Sequence, residues 1–239
     1  MEAGRGDTPA LIWDSPVTGS QKTYSFSKVL GDVAALAADM RDKGVVKGDR
    51  VVIYMPMVAE AEFAMLACAR LGAVHSVVFG GFAANELAVR IDDAAPKLII
   101  SASCGIETNR VIAYKPLLDK AIATAERKPA ACIILQRDRQ PCELTAGRDV
   151  DYAEAVAAAK TAGLAAPCVP VLGTDPLYIL YTSGSTGQPK GVVRDNGARW
   201  SPCAGRWNIT MACSRARFSG QPRMWTGSWG IPTSATRRC

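Results

Sequence analysis

The sequence predicts an α/β fold in which a mostly parallel β-sheet is covered by helices on both faces. Short apolar runs rich in β-branched side chains recur along the first 182 residues. Between these runs lie segments in which apolar residues recur at the spacing of an amphipathic helix. Glycines and prolines separate the two kinds of segment. Strands that are apolar on both faces are typical of parallel sheets buried between helix layers.

The predicted elements alternate between helix and strand from residue 25 onward. In the first helix, within residues 25–44, Ser25 is placed to cap the start and Gly44 to close the end. The predicted strands are RVVIYM, HSVVF, KLIIS, ACIILQ and LYILYT. The other predicted helices are AEAEFAMLACARLG, ANELAVRIDDA, KPLLDKAIATAE and DYAEAVAAAKTA.

The alternation is interrupted at residues 163–176, which hold three prolines and two glycines. We therefore predict a linker there, between a first α/β unit of residues 1–162 and a second unit that begins with residues 177–197. Residues 198–239 show neither strand nor helix periodicity, and we expect them to form a divergent, disordered tail.

The charge of the chain is concentrated in this tail. Seven of the 28 basic residues lie there, all arginines, with no lysine and no acidic residue, which leaves 21 basic against 22 acidic residues in the first 197. The nearly neutral body does not offer a surface typical of nucleic-acid binding. Four of the five tryptophans also lie in the tail, so an arginine- and tryptophan-rich segment for single-stranded nucleic acid stays open as an alternative that we do not favour.

Membrane, secretion and metal signals are missing from the sequence. The N-terminal MEAGRGDTPA lacks an apolar signal segment, and no run of about 18 uncharged apolar residues occurs. None of the eight cysteines has CxxC spacing, and we interpret His75, the single histidine, as a buried structural residue. We expect a cytoplasmic protein with free cysteines, no bound metal and no membrane partner; a mitochondrial location stays open if the N-terminus is incomplete.

The segment YTSGSTGQPKGVV carries the strongest functional signal. Glycine, serine and threonine residues after a strand can direct backbone N–H groups and hydroxyls at an anion, and a lysine adds positive charge. The segment is not a Walker A loop, because Gly184 and Gly187 are three residues apart and Lys190 is followed by Gly191. We predict a loop that binds polyphosphate, with a flexible Gly/Ser hairpin as the alternative.

This segment resembles the phosphate-loop signature of the acyl-adenylate-forming enzymes. Upstream, residues 56–107 and the segment YKPLLDKAI resemble the short-chain acyl-CoA synthetases, nearest to the propionyl-CoA synthetases and next to the acetyl-CoA synthetases. The likeness covers residues 2–197. It implies that the α/β fold is a truncated N-terminal domain of an adenylate-forming enzyme.

The resemblance also implies an activity and a set of site residues. A short carboxylate, propionate or acetate, would attack the α-phosphate of Mg·ATP and release pyrophosphate, and the thiol of CoA would then displace AMP. The residues implied to hold the β- and γ-phosphates are Thr182, Ser183, Gly184, Ser185, Thr186, Gly187 and Lys190. Those implied to contact CoA are Gly80, Gly81, Glu107, Thr108, Asn109 and Arg110. The guanidinium of Arg110 is well suited to bind a phosphate, with an ordinary surface arginine as the open alternative. For Gly80 and Gly81, a plain turn stays open as the alternative.

The likeness stops after Gly197. The acyl-CoA synthetases continue with groups that hold adenine and ribose, an acyl pocket and a C-terminal domain with a catalytic lysine, whereas the tail here is typical of a G+C-rich coding region read in the wrong frame. We therefore assign no catalytic residue and expect this chain not to complete the reaction. A non-catalytic phosphate- or CoA-binding module is the alternative. We also expect the strand LYILYT to have unpaired N–H and C=O groups along at least one of its edges.

Overall fold

The computed structural model describes residues 4–108, 110–182 and 189–197. The predicted tail, Asn109 and Ser183–Gln188 lie outside these ranges. The helices are α1 (Phe26–Asp42), α2 (Ala59–Leu71), α3 (Ala84–Ala94), α4 (Tyr114–Thr124) and α5 (Tyr152–Thr161). The strands are β1 (Pro9–Ser15), β2 (Ser20–Ser25), β3 (Arg50–Met55), β4 (Val74–Phe79), β5 (Leu98–Ala102), β6 (Cys104–Ile106), β7 (Val111–Ala113), β8 (Ala131–Leu135), β9 (Asp149–Asp151), β10 (Pro176–Thr182) and β11 (Lys190–Asp195).

Seven strands form one sheet in the order β11-β10-β4-β3-β5-β8-β9. Neighbouring strands in this sheet are parallel, except that β10 and β11 are antiparallel. The chain crosses from β3 to β4 through α2 and then back across to β5 through α3. Because such crossovers are right-handed, α2 and α3 lie on opposite faces of the sheet. Helix α1 packs against α2 and α5, and α4 packs against α3, which confirms the predicted α/β class.

The core is centred on β3, β5 and β8. Ile53, Ile100 and Ile133 occupy neighbouring register positions across these strands, and all three are fully buried. Each buried aliphatic side chain of this kind stabilises the folded state by roughly 1.5–3 kcal/mol. Since helices cover both faces, these strands are continuously apolar rather than alternating.

Helix ends follow local capping chemistry. Ser25 precedes α1 and its hydroxyl accepts a hydrogen bond from the Lys28 N–H at 3.3 Å, as the sequence predicts. Helix α2 ends at Gly72, whose φ of +67° lies in the left-handed region that favours glycine. Asp151 caps α5 by accepting from the Glu154 N–H at 2.9 Å. These caps hold helix ends that the apolar pattern alone locates only approximately.

Four features of the structure have no counterpart in the sequence prediction. They are the β1–β2 hairpin, the β6–β7 hairpin, the three-residue strand β9 and the strand β11. These strands are short or polar, and several are exposed along one side, so their residues lack the continuous apolar character of the central strands.

The structure corrects the expectation for LYILYT, because a further strand pairs along one of its edges and the strand is not the last of the sheet. This segment forms β10, which pairs with β4 through Tyr178 and His75 and with β11 along most of its length. Strand β11 is the edge strand instead, and five of its six residues are exposed. The error arises because KGVVRD has mixed polarity and follows a glycine-rich loop, so it gives a weak strand signal.

The predicted linker runs over α1 and α2 before the chain rejoins the sheet. The Ala166 N–H donates to the Ala34 carbonyl at 3.2 Å, and Arg70 Nε donates to the Ala166 carbonyl at 2.6 Å. The division into two units at residues 163–176 stays a prediction. Across the described ranges, none of the helices combines the length and the apolar character that a membrane crossing requires.

Candidate functional site

The predicted site segments meet at one edge of the sheet. Parallel strands β3, β4, β5, β8 and β10 all end there, and in open α/β sheets this carboxyl edge is where ligands bind. Gly80 directly follows β4, Thr182 ends β10, and the β6–β7 hairpin begins one residue after β5. The fold thus brings the predicted glycine turn, the hairpin and the strand end from which the predicted phosphate loop starts to the same edge of the sheet.

The turn after β4 is compact because of close aromatic packing. The Phe82 N–H donates to the Phe79 carbonyl at 3.1 Å, and the two rings meet edge to face with centroids 5.9 Å apart. Neither glycine has a positive φ. A Cβ on Gly80 would overlap the ring of Tyr114, and one on Gly81 would lie 2.6 Å from the ring of Phe79. Both glycines therefore have a packing role, and their approach to a ligand stays a prediction.

The segment Glu107–Arg110 forms the tip of the β6–β7 hairpin. The Glu107 N–H donates to the Arg110 carbonyl at 2.9 Å, and Arg110 Nε donates to the Glu107 carboxylate at 2.7 Å. The hydrogen bond and the charge of Glu107 raise the pKa of Arg110. The Arg110 side chain is 70% exposed, and Thr108 is exposed beside it. The tip therefore presents a solvent-facing guanidinium, while Asn109 lies outside the described residues.

Only the two ends of the predicted phosphate loop are described. Thr182 and Lys190 are register partners, and the Thr182 hydroxyl donates to the Lys190 carbonyl at 3.5 Å. Both residues are exposed. The remaining predicted residues Ser183, Gly184, Ser185, Thr186 and Gly187 lie outside the described ranges.

A buried arginine connects the glycine turn with the end of β10. The Arg90 guanidinium lies 4.5 Å from the centre of the Phe82 ring and 5.6 Å from that of Tyr181. The Tyr181 hydroxyl donates to the Asp93 carboxylate at 2.6 Å. Burial first and then this hydrogen bond raise the pKa of Tyr181, so the phenol stays neutral. Arg90 of α3 thus contacts both Tyr181, which precedes Thr182, and Phe82, which follows the glycine turn.

The sequence prediction missed Arg90, although a signal was present. Arg90 lies three residues after Leu87 and one before Ile91, so helical spacing places it on the apolar face of α3. An arginine on such a face has to find a carbonyl, carboxylate or aromatic partner. Arg90 Nη1 donates to the Glu86 carbonyl at 2.6 Å as well as stacking on the two rings.

A network of ion pairs lies at the β8–β9 end of the sheet. Lys115 Nζ lies 2.6 Å from the Asp119 carboxylate and 3.0 Å from that of Asp149, and Arg148 Nε donates to Asp149 at 2.6 Å. Burial alone raises the pKa of Asp149, but hydrogen bonds from Arg148, the Thr145 N–H and Lys115 outweigh it and lower the pKa to about 2. Because every charge has a partner, we interpret this network as structural.

His75 and the cysteines match their predicted roles in part. His75 is buried in β4, with its ring centre 5.7 Å from that of Tyr178. In the described ranges Cys68, Cys104, Cys132, Cys142 and Cys168 form no disulfide, and burial raises the pKa of Cys132 to about 12. Within the same ranges no group of three or more His, Cys, Asp or Glu side chains is placed to hold a metal ion.

The fold and the loops at its carboxyl edge define an α/β protein with candidate ligand sites at the ends of parallel strands. The family model described as "AMP-binding enzyme" matches residues 2–226. The chain therefore belongs to the AMP-binding enzyme family, which confirms the resemblance seen in the phosphate-loop segment.

Similar curated proteins cover most of this chain. An uncharacterised protein of Pseudomonas aeruginosa is 59% identical over 197 residues, which are 82% of this chain and 31% of that protein. The mitochondrial acyl-CoA synthetase short-chain family member 3 of Rattus norvegicus is 50% identical over 82% of this chain and 28% of its own length. Propionate–CoA ligase of Escherichia coli is 46% identical over 79% of this chain and 30% of its own length. The chain thus spans about three tenths of the length of these relatives.

Proposed function

We propose that this chain supplies the ATP-phosphate-binding and CoA-binding segments of a short-chain acyl-CoA synthetase. In the proposed reaction a short carboxylate attacks the α-phosphate of ATP, pyrophosphate leaves, and the CoA thiol displaces AMP from the acyl-adenylate. The relatives named propionate–CoA ligase and short-chain acyl-CoA synthetase support this class of reaction. Propionate and acetate are the two proposed acyl substrates.

One observation carries the proposal: the glycine turn and the predicted phosphate loop leave adjacent strands at the carboxyl edge. Strands β4 and β10 are parallel neighbours, and they end at Phe79 and Thr182. Adjacent strand ends place the two proposed binding segments close together. This arrangement suits two ligands whose reacting groups must meet, because reaction requires the bound groups to be close and aligned.

The proposed triphosphate site begins at Thr182 and ends at Lys190. Their hydroxyl and ammonium groups, with the backbone of Ser183–Gly187, would donate hydrogen bonds to the β- and γ-phosphates. Mg²⁺ would enter with the nucleotide, since this ion keeps several waters and is held largely by substrate phosphates. It would neutralise part of the triphosphate charge there.

The proposed CoA site combines the hairpin tip with the glycine turn. Arg110, with Glu107, Thr108 and Asn109 beside it, would meet the phosphates at the nucleotide end of CoA, where a planar guanidinium can make two parallel hydrogen bonds. The backbone of Gly80 and Gly81 would lie along the pantetheine arm. The cytoplasmic location expected from the sequence stays a prediction, and the Rattus norvegicus relative is named mitochondrial.

Isothermal titration of the full chain with Mg·ATP and with CoA tests the proposal. A charge-assisted hydrogen bond contributes about 1.5–3 kcal/mol, so Lys190→Ala should weaken Mg·ATP binding by at least about tenfold and leave CoA binding unchanged. Arg110→Ala should weaken CoA binding and leave Mg·ATP binding unchanged.

Matched controls separate site effects from loss of surface charge. Lys128→Ala and Arg127→Ala, both in the turn between α4 and β8 at the opposite edge of the sheet, each remove one exposed cation, and both variants should bind like the unchanged chain. The proposal would be contradicted if the unchanged chain bound neither ligand, or if the control variants weakened binding as much as the site variants.

A further inference from the structure

One aromatic ring fills the space between the two segments proposed to bind CoA. Gly80 follows β4, and Gly105 lies in β6 two residues before Glu107. A Cβ on Gly80 would overlap Cε2, Cζ and the hydroxyl of Tyr114, and a Cβ on Gly105 would overlap Cε1, Cζ and the same hydroxyl. Since Cε1 and Cε2 are opposite edges of the ring, the Tyr114 ring stands edge-on between the two backbones.

The other contacts of Tyr114 fix this ring in place. Its centre lies 5.1 Å from that of Tyr54, whose hydroxyl donates to the Phe82 carbonyl at 3.0 Å. The Tyr114 N–H donates to the Ser103 carbonyl at 3.0 Å, which anchors the first residue of α4 to the base of the hairpin. Both tyrosines are buried. The ring therefore cannot shift without moving β3, the hairpin or the glycine turn.

The contribution of Tyr114 is one of shape. Burial, followed by the nearby charge of Glu107, raises the pKa of the Tyr114 phenol to about 12. The hydroxyl is therefore neutral at physiological pH and carries no charge toward a ligand. The ring instead holds the backbone at Gly80 and the backbone at Gly105 a fixed distance apart. Neither position has room for a side chain beside the ring.

We propose that Tyr114 is a positioning residue that sets the spacing between the Gly80–Gly81 turn and the β6–β7 hairpin, so that the two half-sites fit the two ends of one CoA molecule. This inference rests on the proposed function of the chain as a CoA-binding protein. CoA is long and flexible, and a ligand that bridges two half-sites gains affinity only when their spacing matches its own span.

The test compares CoA with its two halves on the full chain. Titrations monitored by ligand-observed NMR would use CoA, pantetheine and adenosine 3′,5′-bisphosphate, with the unchanged chain and with Tyr114→Leu. Leucine keeps apolar volume in the core but cannot reach both glycines. We expect Tyr114→Leu to weaken CoA binding by about tenfold or more, and to change the affinity for each half by less than about twofold, because each half-site stays intact.

Two further variants keep the test decisive. Tyr114→Phe retains the ring and should bind CoA like the unchanged chain. If thermal melting shows that Tyr114→Leu does not fold, Tyr114→Met replaces it, since the longer and flexible methionine side chain fills more of the core but has no ring to hold the two backbones apart.

The possible outcomes separate this inference from the proposed function. Equal weakening of CoA and both halves, or no weakening of CoA, would overturn the positioning role while leaving CoA binding itself established. Failure of the unchanged chain to bind CoA would overturn the proposed function, and the positioning role with it. Selective weakening of CoA in Tyr114→Leu, restored in Tyr114→Phe, is the result that the geometry predicts.

Discussion

The two ends of the seven-stranded sheet are stabilised in different ways. At the β5–β8–β9 end, the apolar strands β5 and β8 are buried under helices, and the Asp149 carboxylate of β9, which has no exposed surface, is paired with Lys115 and Arg148. At the β10–β11 end, most of β11 is exposed, and the residues of β10 are half-buried or exposed. The segments proposed to bind CoA follow β4 and β5, and of these only β5 is buried along its whole length, whereas the proposed phosphate loop follows the half-buried strand β10.

A few specific contacts hold the β10–β11 end in place. Asp93 accepts a hydrogen bond from Tyr181, and Asp175 accepts through its carbonyl from the Asn196 N–H at 3.0 Å and forms an ion pair with Lys47 at 2.8 Å. Polar contacts near the surface contribute less than apolar burial, because water competes for the same groups. We therefore expect the two ends to respond differently to matched substitutions.

The largest difference is expected from truncating one isoleucine at each end. Ile100→Ala in β5 removes a fully buried side chain and should lower the free energy of unfolding by about 2–5 kcal/mol. Ile179→Ala in β10 removes a half-buried one and should cost clearly less, since its site can partly fill with water or relax. Urea unfolding followed by circular dichroism measures both. Equal losses would show that the two ends are equally well packed.

A smaller effect is expected from the ion network at the covered end. Asp149→Asn leaves the buried Lys115 with a single carboxylate partner, and should cost about 3 kcal/mol at pH 7. Asp138→Asn, on an exposed loop after β8, is the matched control and should change stability by less than about 0.5 kcal/mol.

The same network predicts a pH dependence with a defined sign. The pKa of Asp149 is lowered in the folded state from 3.8 to about 2, so its contribution is present above pH 4 and is lost as the pH falls toward 2. Unfolding of the unchanged chain at pH 7, 4 and 2.5 should show this loss, and the Asp149→Asn variant should lack that part of it. If the Asp149→Asn variant lost as much stability in acid as the unchanged chain, the loss would come from other carboxylates.

The sequence predicts the buried part of the fold well, because apolar residues recur at regular spacing, or in continuous runs, wherever a helix or strand is buried. The predicted strand RVVIYM and helix ANELAVRIDDA have the bounds of β3 and α3, and Ser25 caps α1 as expected. In each case the residues that fix the element are its own, or lie next to it in the chain. The same local reasoning predicts a phosphate loop from the unusual composition of a short segment, and that role stays a prediction.

The features that the sequence did not reveal depend on residues far apart in the chain. The ring of Tyr114 matters because Gly80 and Gly105 meet it from two sides, and nothing local to α4 indicates this. Strand β11 is recognisable by its antiparallel pairing with β10, whereas its own mixed polarity gives a weak strand signal. Such pairings are set by topology, and a local pattern carries little information about them.

Hydrogen–deuterium exchange of the full chain, with and without each ligand, shows whether CoA and Mg·ATP bind at the carboxyl edge of the sheet. CoA should slow exchange in peptides that span residues 79–83 and 103–114, and Mg·ATP should slow exchange in peptides from β10 and β11. The turn between α4 and β8, at the opposite edge of the sheet, should be unchanged by either ligand. Binding at the carboxyl edge would be contradicted if neither ligand altered exchange there, or if protection appeared in the turn between α4 and β8 instead.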